Sequence, residues 1–256
     1  MRILMVGDVV GRPGRRAVRL ALQQLRPKHS IDLVIANGEN AAGGIGLTTD
    51  TADELFRSGV DVITSGNHIW HHKDIFPYLD GMQPILRPLN LPPGTIGQGY
   101  LVIGQVMVVS LLGRVFIGNF ECPFRTMDRL LDEVNPLPPI IIVDFHAEAT
   151  AEKVALGWYL DGRVSAVAGT HTHVGTIDAR VLPKGMAYVS DIGMAGAVDS
   201  VIGDDIDSVI RRFLTMMPHR LSVAKGNMVF NSVLLDVEEE SGTALSISRI
   251  DLEFKE

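Results

Sequence analysis

Residues 164–173 read VSAVAGTHTH: an apolar run, a break at Gly169, then two histidines, His171 and His173, with threonines between. Two earlier segments repeat this design. Residues 31–40 read IDLVIANGEN and residues 60–68 read VDVITSGNH. Each run is rich in Val and Ile, has strand length, and ends in Gly or Asn, which favours a buried strand followed by a tight turn. Ile3–Val6 ends in Gly7-Asp8, and Ile140–Val143 is followed by His146. Five predicted strands are thus each followed by groups that can bind a cation or move a proton.

Helical patterns lie between the runs. Val18, Leu20, Leu22 and Leu25 predict a helix up to Pro27, and Thr48–Ser58 reads as a capped helix with Thr49 ahead of Asp50. Alternation of strand and helix predicts βαβ units with parallel pairing. The middle changes character: Pro84, Pro88, Pro92 and Pro93 mark an irregular connection before a hairpin of Tyr100–Ile103 and Val106–Leu112. Helices are expected over Arg125–Val134 and Ala149–Leu160. Past Ile177 strands are favoured, apart from a helix over Asp204–Met216, and the chain closes with antiparallel strands Asn227–Val237 and Thr243–Phe254. With no repeat and no linker, residues 1–256 are expected to form one α/β domain.

Composition narrows the function. Hydrophobic residues make up 46% of the chain, enough for a large core, and the net charge of -7 comes with no basic block. Coating of nucleic acid, which needs clustered Lys and Arg, is not expected. A small phosphate ester is compatible, because metal ions can supply local positive charge. Cys122 is the only cysteine, which excludes an internal disulfide and a thiolate cluster. The N-terminal run stops at Asp8, and no run approaches the roughly 18 apolar residues of a membrane span; a cytoplasmic protein is expected.

In open α/β sheets, sites form outside the carboxyl ends of the strands. Asp8, Glu39, Asn40, Asn67, His68, His146, His171 and His173 would then share one edge. Singly, each has a plain explanation: a turn Asn beside Gly, a hydrogen-bonded histidine. Their joint occurrence favours a metal centre. The set mixes carboxylate oxygen with imidazole and lacks sulfur, which suits Fe, Mn or Zn better than Mg or Ca. There are too many donors for one four-coordinate ion, so two ions sharing a carboxylate are expected, with Glu39 as the bridge. His71 and His72 are read as loop residues. Gly43, Gly44 and Gly46 read as a turn, and none of Asp178, Asp191 and Asp199 is singled out as a support for a ligand histidine.

GDVVG, NGEN, GNH, a strand-end histidine and GTHTHV, in this order, resemble the calcineurin-like metallophosphoesterases, and among them the bacterial YmdB family of 2′,3′-cyclic-nucleotide 2′-phosphodiesterases. The resemblance runs from Met1 to near Phe254. It departs from the broad superfamily at Asp8-Val9-Val10, where an Asp-x-His is usual, and at Asn37-Gly38-Glu39-Asn40, where Gly-Asp-x-x-Asp is usual. It implies a layered α/β/β/α sandwich. It implies one ion on Asp8, Glu39, Asn40 and His173, a second on Glu39, Asn67, His146 and His171, and His68 as proton donor. The implied reaction is in-line attack of metal-bound hydroxide on a small phosphodiester. Alternatives are a phosphomonoesterase or phosphoprotein phosphatase on the same ion pair, and a non-catalytic nucleotide-binding regulator. A homo-oligomer is left open.

Overall fold

The first strand explains the layering. In the computed structural model, which describes residues 1–256, β1 (Arg2–Val9) is buried along all but its first residue. Its side chains alternate between two different cores. Ile3 and Met5 join an inter-sheet cluster, whereas Leu4 and Val6 join a cluster with the helices. A strand with period-two side chains and apolar residues on both faces must be covered on both faces. Here one cover is helical and the other is a second sheet.

The first sheet runs β12-β11-β10-β1-β2-β3, with β2 (Leu33–Asn37), β3 (Val62–Thr64), β10 (Met194–Ala197), β11 (Met228–Val237) and β12 (Ala244–Phe254). The strands β10, β1, β2 and β3 pair in parallel, and the terminal hairpin β11–β12 is antiparallel. Its outer face carries α1 (Gly11–His29) and α2 (Thr49–Arg57). The second sheet runs β4-β5-β6-β7-β9-β8. It is formed by β4 (Tyr100–Ile103), β5 (Val106–Leu112), β6 (Ile140–His146), β7 (Ala166–Thr170), β8 (Arg180–Val181) and β9 (Ala187–Val189). The helices α4 (Pro123–Glu133) and α5 (Thr150–Leu160) cover its outer face through Met127, Leu130, Leu156 and Leu160. The result is the α/β/β/α sandwich that the resemblance implied. Each fully buried Ile, Leu or Val in these layers contributes about 1.5–3 kcal/mol, and Ile142→Ala between the sheets would cost roughly 2–5 kcal/mol.

Local chemistry moved several boundaries. The first helix passes Pro27 and ends at His29, because a proline in the last turn forfeits only one hydrogen bond while Leu22 and Leu25 stay buried. Ser30 then takes a left-handed conformation (φ 49°), and its N–H caps Arg26 O. The cap of α2 is Thr48, one residue earlier than expected: its hydroxyl accepts from Thr51 N, and Thr51 Oγ1 accepts from Thr48 N at 3.0 Å. A 3-10 turn (Lys73–Ile75) and α3 (Phe76–Asp80) fill a stretch with no sequence assignment, and α6 (Ile206–Thr215) carries an Asp205 cap.

The most consequential shift is at β6. The strand does not stop at Val143 but continues through Asp144 to His146, in register with Leu112 and Thr170. Polar residues thereby extend the apolar inter-sheet rows. Ile140 and Ile142 lead to Asp144 and His146, Leu33 and Ile35 lead to Asn37, and Ala166 and Ala168 lead to Thr170.

Candidate metal centre

The cluster lies where those inter-sheet rows turn polar, at the carboxyl ends of β1, β2, β3, β6 and β7. A bulge at Gly7 aims Asp8 into it. The register of β1 on β2 slips between Val6 and Asp8, so Asp8 pairs with Asn37 and shares its face. Only glycine fits at position 7, because a Cβ there would strike Gly193 O. Asp8, Glu39 and His146 are fully buried, and Asn40 nearly so.

Two groups of donors form around Glu39. On one side, Glu39, His146 and His171 each offer a ligand atom, all within 4.8 Å of one another. Glu39 Oε1 is 2.9 Å from His146 Nε2, and His146 Nε2 is 3.0 Å from His171 Nδ1. On the other side, His173 Nε2 lies 3.5 Å from Asp8 Oδ1 and 3.3 Å from Asn40 Nδ2, which is itself 3.5 Å from Asp8 Oδ1. Rotating the Asn40 amide by half a turn offers its oxygen to the same point. Asn67 and His68 close the cluster from the β3 loop: His68 N donates to Glu39 Oε2 at 3.0 Å, and the two side chains meet at 3.2 Å.

These donors fit a cation better than they fit one another. Glu39 Oε1 and Asn67 Oδ1 are buried without a hydrogen-bond partner, and the close approach of Glu39 Oε1 to His146 misses hydrogen-bond geometry. An unpaired buried acceptor costs about 1–3 kcal/mol unless something else binds it. With bonds of about 2.1 Å, neighbouring ligands on a cation stand roughly 3.0–3.4 Å apart, close to the 2.9–3.5 Å seen across both groups. His171 and His173 adopt positive φ, 97° and 63°. Such backbone is costly for residues other than Gly and persists at sites that require it.

Charges within the cluster push against each other. Burial opposes a charge on His146, yet the Glu39 and Asp8 carboxylates raise its pKa to about 9. Burial likewise opposes a charge on His173, and Asp8 raises it to about 9. Burial and the neighbouring His146 lower His171 to about 4. Burial works against ionised Asp8 and Glu39, but the imidazoles hold both below the usual carboxylate range.

A buried polar layer beneath the cluster orients it. Thr170 Oγ1 donates to Asp144 Oδ1 at 2.7 Å and lies 3.0 Å from His146 Nδ1, while Asn37 Nδ2 donates to Asp144 Oδ2 at 3.1 Å. Thr64 Oγ1 also donates to Asp144. Asp144 was missed in the sequence, although a carboxylate inside IIIVDFH was a visible signal. Asp191 is the member of the downstream acidic trio that supports the histidine loop. It accepts from Thr172 N and Thr172 Oγ1 and pairs with buried Lys153 at 2.7 Å, without touching an imidazole. Asp178 instead holds Thr176 and Ser190. His72 Nε2 meets Ile45 O at 3.1 Å, which ties it to the Gly43–Gly46 turn.

A sequence profile of the family described as YmdB-like protein matches residues 4–250. The chain belongs to the YmdB-like family. It is 46% identical over 254 residues to a 2′,3′-cyclic-nucleotide 2′-phosphodiesterase from Bacillus subtilis, covering 98% of this chain and 96% of that protein. A crystal structure of a hypothetical protein from Thermus thermophilus superposes with a TM-score of 0.93 at 46% identity, covering 99% of both chains. A crystal structure described as a novel phosphatase from Mycoplasma pneumoniae gives 0.93 at 33% identity, covering 99% of this chain and 93% of the other.

Proposed function

We propose that this chain is a dinuclear-metal phosphodiesterase acting on small cyclic nucleotides, 2′,3′-cyclic nucleotides foremost. The observation that carries the reading is the pair of buried, unpartnered oxygens, Glu39 Oε1 and Asn67 Oδ1, beside two facing imidazoles. The 46% identity to the Bacillus subtilis 2′,3′-cyclic-nucleotide 2′-phosphodiesterase supports the substrate class. Asp8, Glu39, Asn40 and His173 would hold one ion and Glu39, Asn67, His146 and His171 the other, with Glu39 shared. Oxygen and imidazole donors without sulfur fit Fe or Mn, with Zn as the alternative.

Bound there, two cations supply Lewis acidity, making water acidic enough to ionise near neutral pH and offsetting charge on the phosphoryl oxygens. The chain's own residues do the rest. The buried carboxylates fix the ions, the Asp144–Thr170 pair fixes the ring of His146, and His68, half-buried at the rim, gives its proton to the departing ribose oxygen. Cleavage on the 2′ side forms a new P–O bond to water oxygen, breaks the P–O2′ bond and leaves a 3′-nucleotide. The single cysteine, Cys122, keeps a cytoplasmic address in this reading; no helix is long and apolar enough to cross a membrane.

Rates on 2′,3′-cyclic AMP and on p-nitrophenyl phosphate, with Fe- or Mn-loaded protein, test it. The expected kcat/KM favours the cyclic nucleotide by about tenfold or more, a transition-state preference of roughly 1.4 kcal/mol. The reverse preference would replace this reading with the phosphomonoesterase one.

A further inference from the structure

A concave pocket of about 330 Å³ opens at the start of α1, lined by Arg12, Arg16, Lys225, Val223, Gly43 and Gly226. Two other arginines of the same helix are engaged: Arg15 pairs with Glu54 at 2.6 Å and Arg26 with Asp61 at 3.0 Å. The side chains of Arg12, Arg16 and Lys225 have no partner, and the one carboxylate side chain in the lining is Glu256. Three free cations around one hollow stand out in a chain of net charge -7. The helix adds its dipole to them, since its first turn has no acidic residue, while Gly11 N is already taken by Asn40 O and Pro13 has no N–H to offer. Gly43 and Gly226 both take positive φ, and a Cβ on either would meet nothing within 4 Å. The pocket therefore has room for a ligand to reach the backbone.

Two walls of the pocket are linked through the backbone to the side of the metal cluster that holds Asp8, Asn40 and His173. Gly11 N donates to Asn40 O at 2.9 Å, and Gly43 lies three residues beyond Asn40. The opposite wall is tied in as well: Ala224 N donates to Gly203 O at 2.9 Å, next to Ile202, whose carbonyl meets His173 Nδ1 at 2.7 Å. A ligand phosphate at the cluster and a second anion in the pocket would thus lie on either side of these two backbone links.

We infer that the pocket binds a phosphate on the 5′ oxygen of the ribose whose 2′,3′-cyclic phosphate sits at the metal cluster. Nucleotides that carry a 5′-phosphate, or a further nucleotide on that side, are then preferred over bare cyclic nucleosides. The inference rests on the phosphodiesterase reading for the identity of the first phosphate. Guanidinium forks and an ammonium group suit the phosphate oxygens, and the two phosphates of one nucleotide lie at opposite edges of its ribose.

Three probes test it on the metal-loaded full chain: adenosine 2′,3′-cyclic phosphate, its 5′-phosphorylated form, and the dinucleotide ApA ending in the cyclic phosphate. The expected KM falls about tenfold or more when the 5′-phosphate is added, a gain that shrinks as salt screens the exposed cations. In the double variant R12A/K225A the gain drops below about twofold while kcat on the bare cyclic nucleoside is unchanged. A gain for the dinucleotide as well identifies an internucleotide phosphodiester as a source; a gain for the monoester alone identifies a terminal phosphate. Equal KM for all three in the wild type overturns the inference. Calorimetry with adenosine 3′,5′-bisphosphate against adenosine 3′-monophosphate separates the two failures, because it needs no turnover. Tighter binding of the bisphosphate that R12A/K225A abolishes, with no cyclic nucleotide hydrolysed, would retire the phosphodiesterase reading and keep the pocket. Equal affinities would overturn the pocket.

Discussion

His146 Nδ1 and Thr170 Oγ1 stand 3.0 Å apart, and Thr170 donates its own proton to Asp144 Oδ1 at 2.7 Å. Thr170 is thereby free to accept from the ring, so Nδ1 keeps its hydrogen, and it is Nε2 that gives up a proton and turns a lone pair toward Glu39 and His171 when a cation binds. Replacing Thr170 with Val keeps the shape and removes the acceptor. The ring loses its fixed tautomer, and affinity for a cation held by His146 should fall about 10–100-fold. Metal titration of Thr170→Val against Thr170→Ser checks this, and equal affinities would remove the orienting role.

Gly66 occupies space that no side chain can share. A Cβ there would run into His146 Cδ2 and Glu39 Oε2. Gly66→Ala should displace both groups at once and leave a protein that folds but holds less than one ion per chain. Metal content by elemental analysis, beside an unchanged far-ultraviolet circular dichroism spectrum, reads both halves of the prediction.

Strand-end chemistry was legible from the sequence because it depends on local pattern. An apolar run that ends in Gly or Asn announces a strand and its turn, and the βαβ rhythm says which ends share an edge. This brought Asp8, Glu39, Asn40, Asn67, His68, His146, His171 and His173 to one place. The supports were not legible, because they depend on register. Asp144 serves the site only because β6 runs three residues further than its apolar run and keeps the parity of Ile140 and Ile142. Lys153 and Asp191 are 38 positions apart, and nothing local marks them as partners. Pro27 misled for the opposite reason: a local rule for ending helices gave way to burial of Leu22 and Leu25.

Lys153 and Asp191 form a buried ion pair at 2.7 Å, and Asp191 also anchors Thr172 and Gly193. Lys153→Met fills the space but leaves the carboxylate without its cation. Removing one partner of a buried pair costs about 3–5 kcal/mol. For a chain of this size Tm should drop by roughly 6–20 °C. Thermal unfolding of the metal-free protein measures it. A change below about 2 °C would mean that Asp191 is satisfied by its backbone and hydroxyl donors alone.

Metal loading should release protons. In the metal-free cluster His146 and His173 titrate near 9, so both are protonated at pH 7, whereas His171, near 4, is already neutral. A cation must displace the two protons, so affinity rises with pH up to about 9 and then levels off. Stability of the metal-free protein follows the opposite sign. The two raised histidines contribute fully below about 6.5 and lose that contribution as pH climbs through 9. Calorimetric titration in buffers of differing ionisation enthalpy at pH 7 should count close to two protons per fully loaded chain; a count near zero would contradict the charge pattern.

His68 separates chemistry from metal binding. Its backbone N–H is fixed by Glu39 Oε2 at 3.0 Å, so the loop keeps its position when the ring is removed. The ring contacts Asn67 and is not among the three donors gathered within 4.8 Å of one another. His68→Ala should therefore retain the metal content of the wild type and lower kcat about 10²–10⁴-fold, the usual contribution of a positioned general acid. A substrate whose leaving group needs no proton, such as a p-nitrophenyl ester, should lose far less. Metal content and both rates, measured on one preparation, decide the matter. Ions lost together with activity would make His68 a ligand, and equal losses on the two substrates would show that the ring positions the phosphate instead of protonating the leaving oxygen.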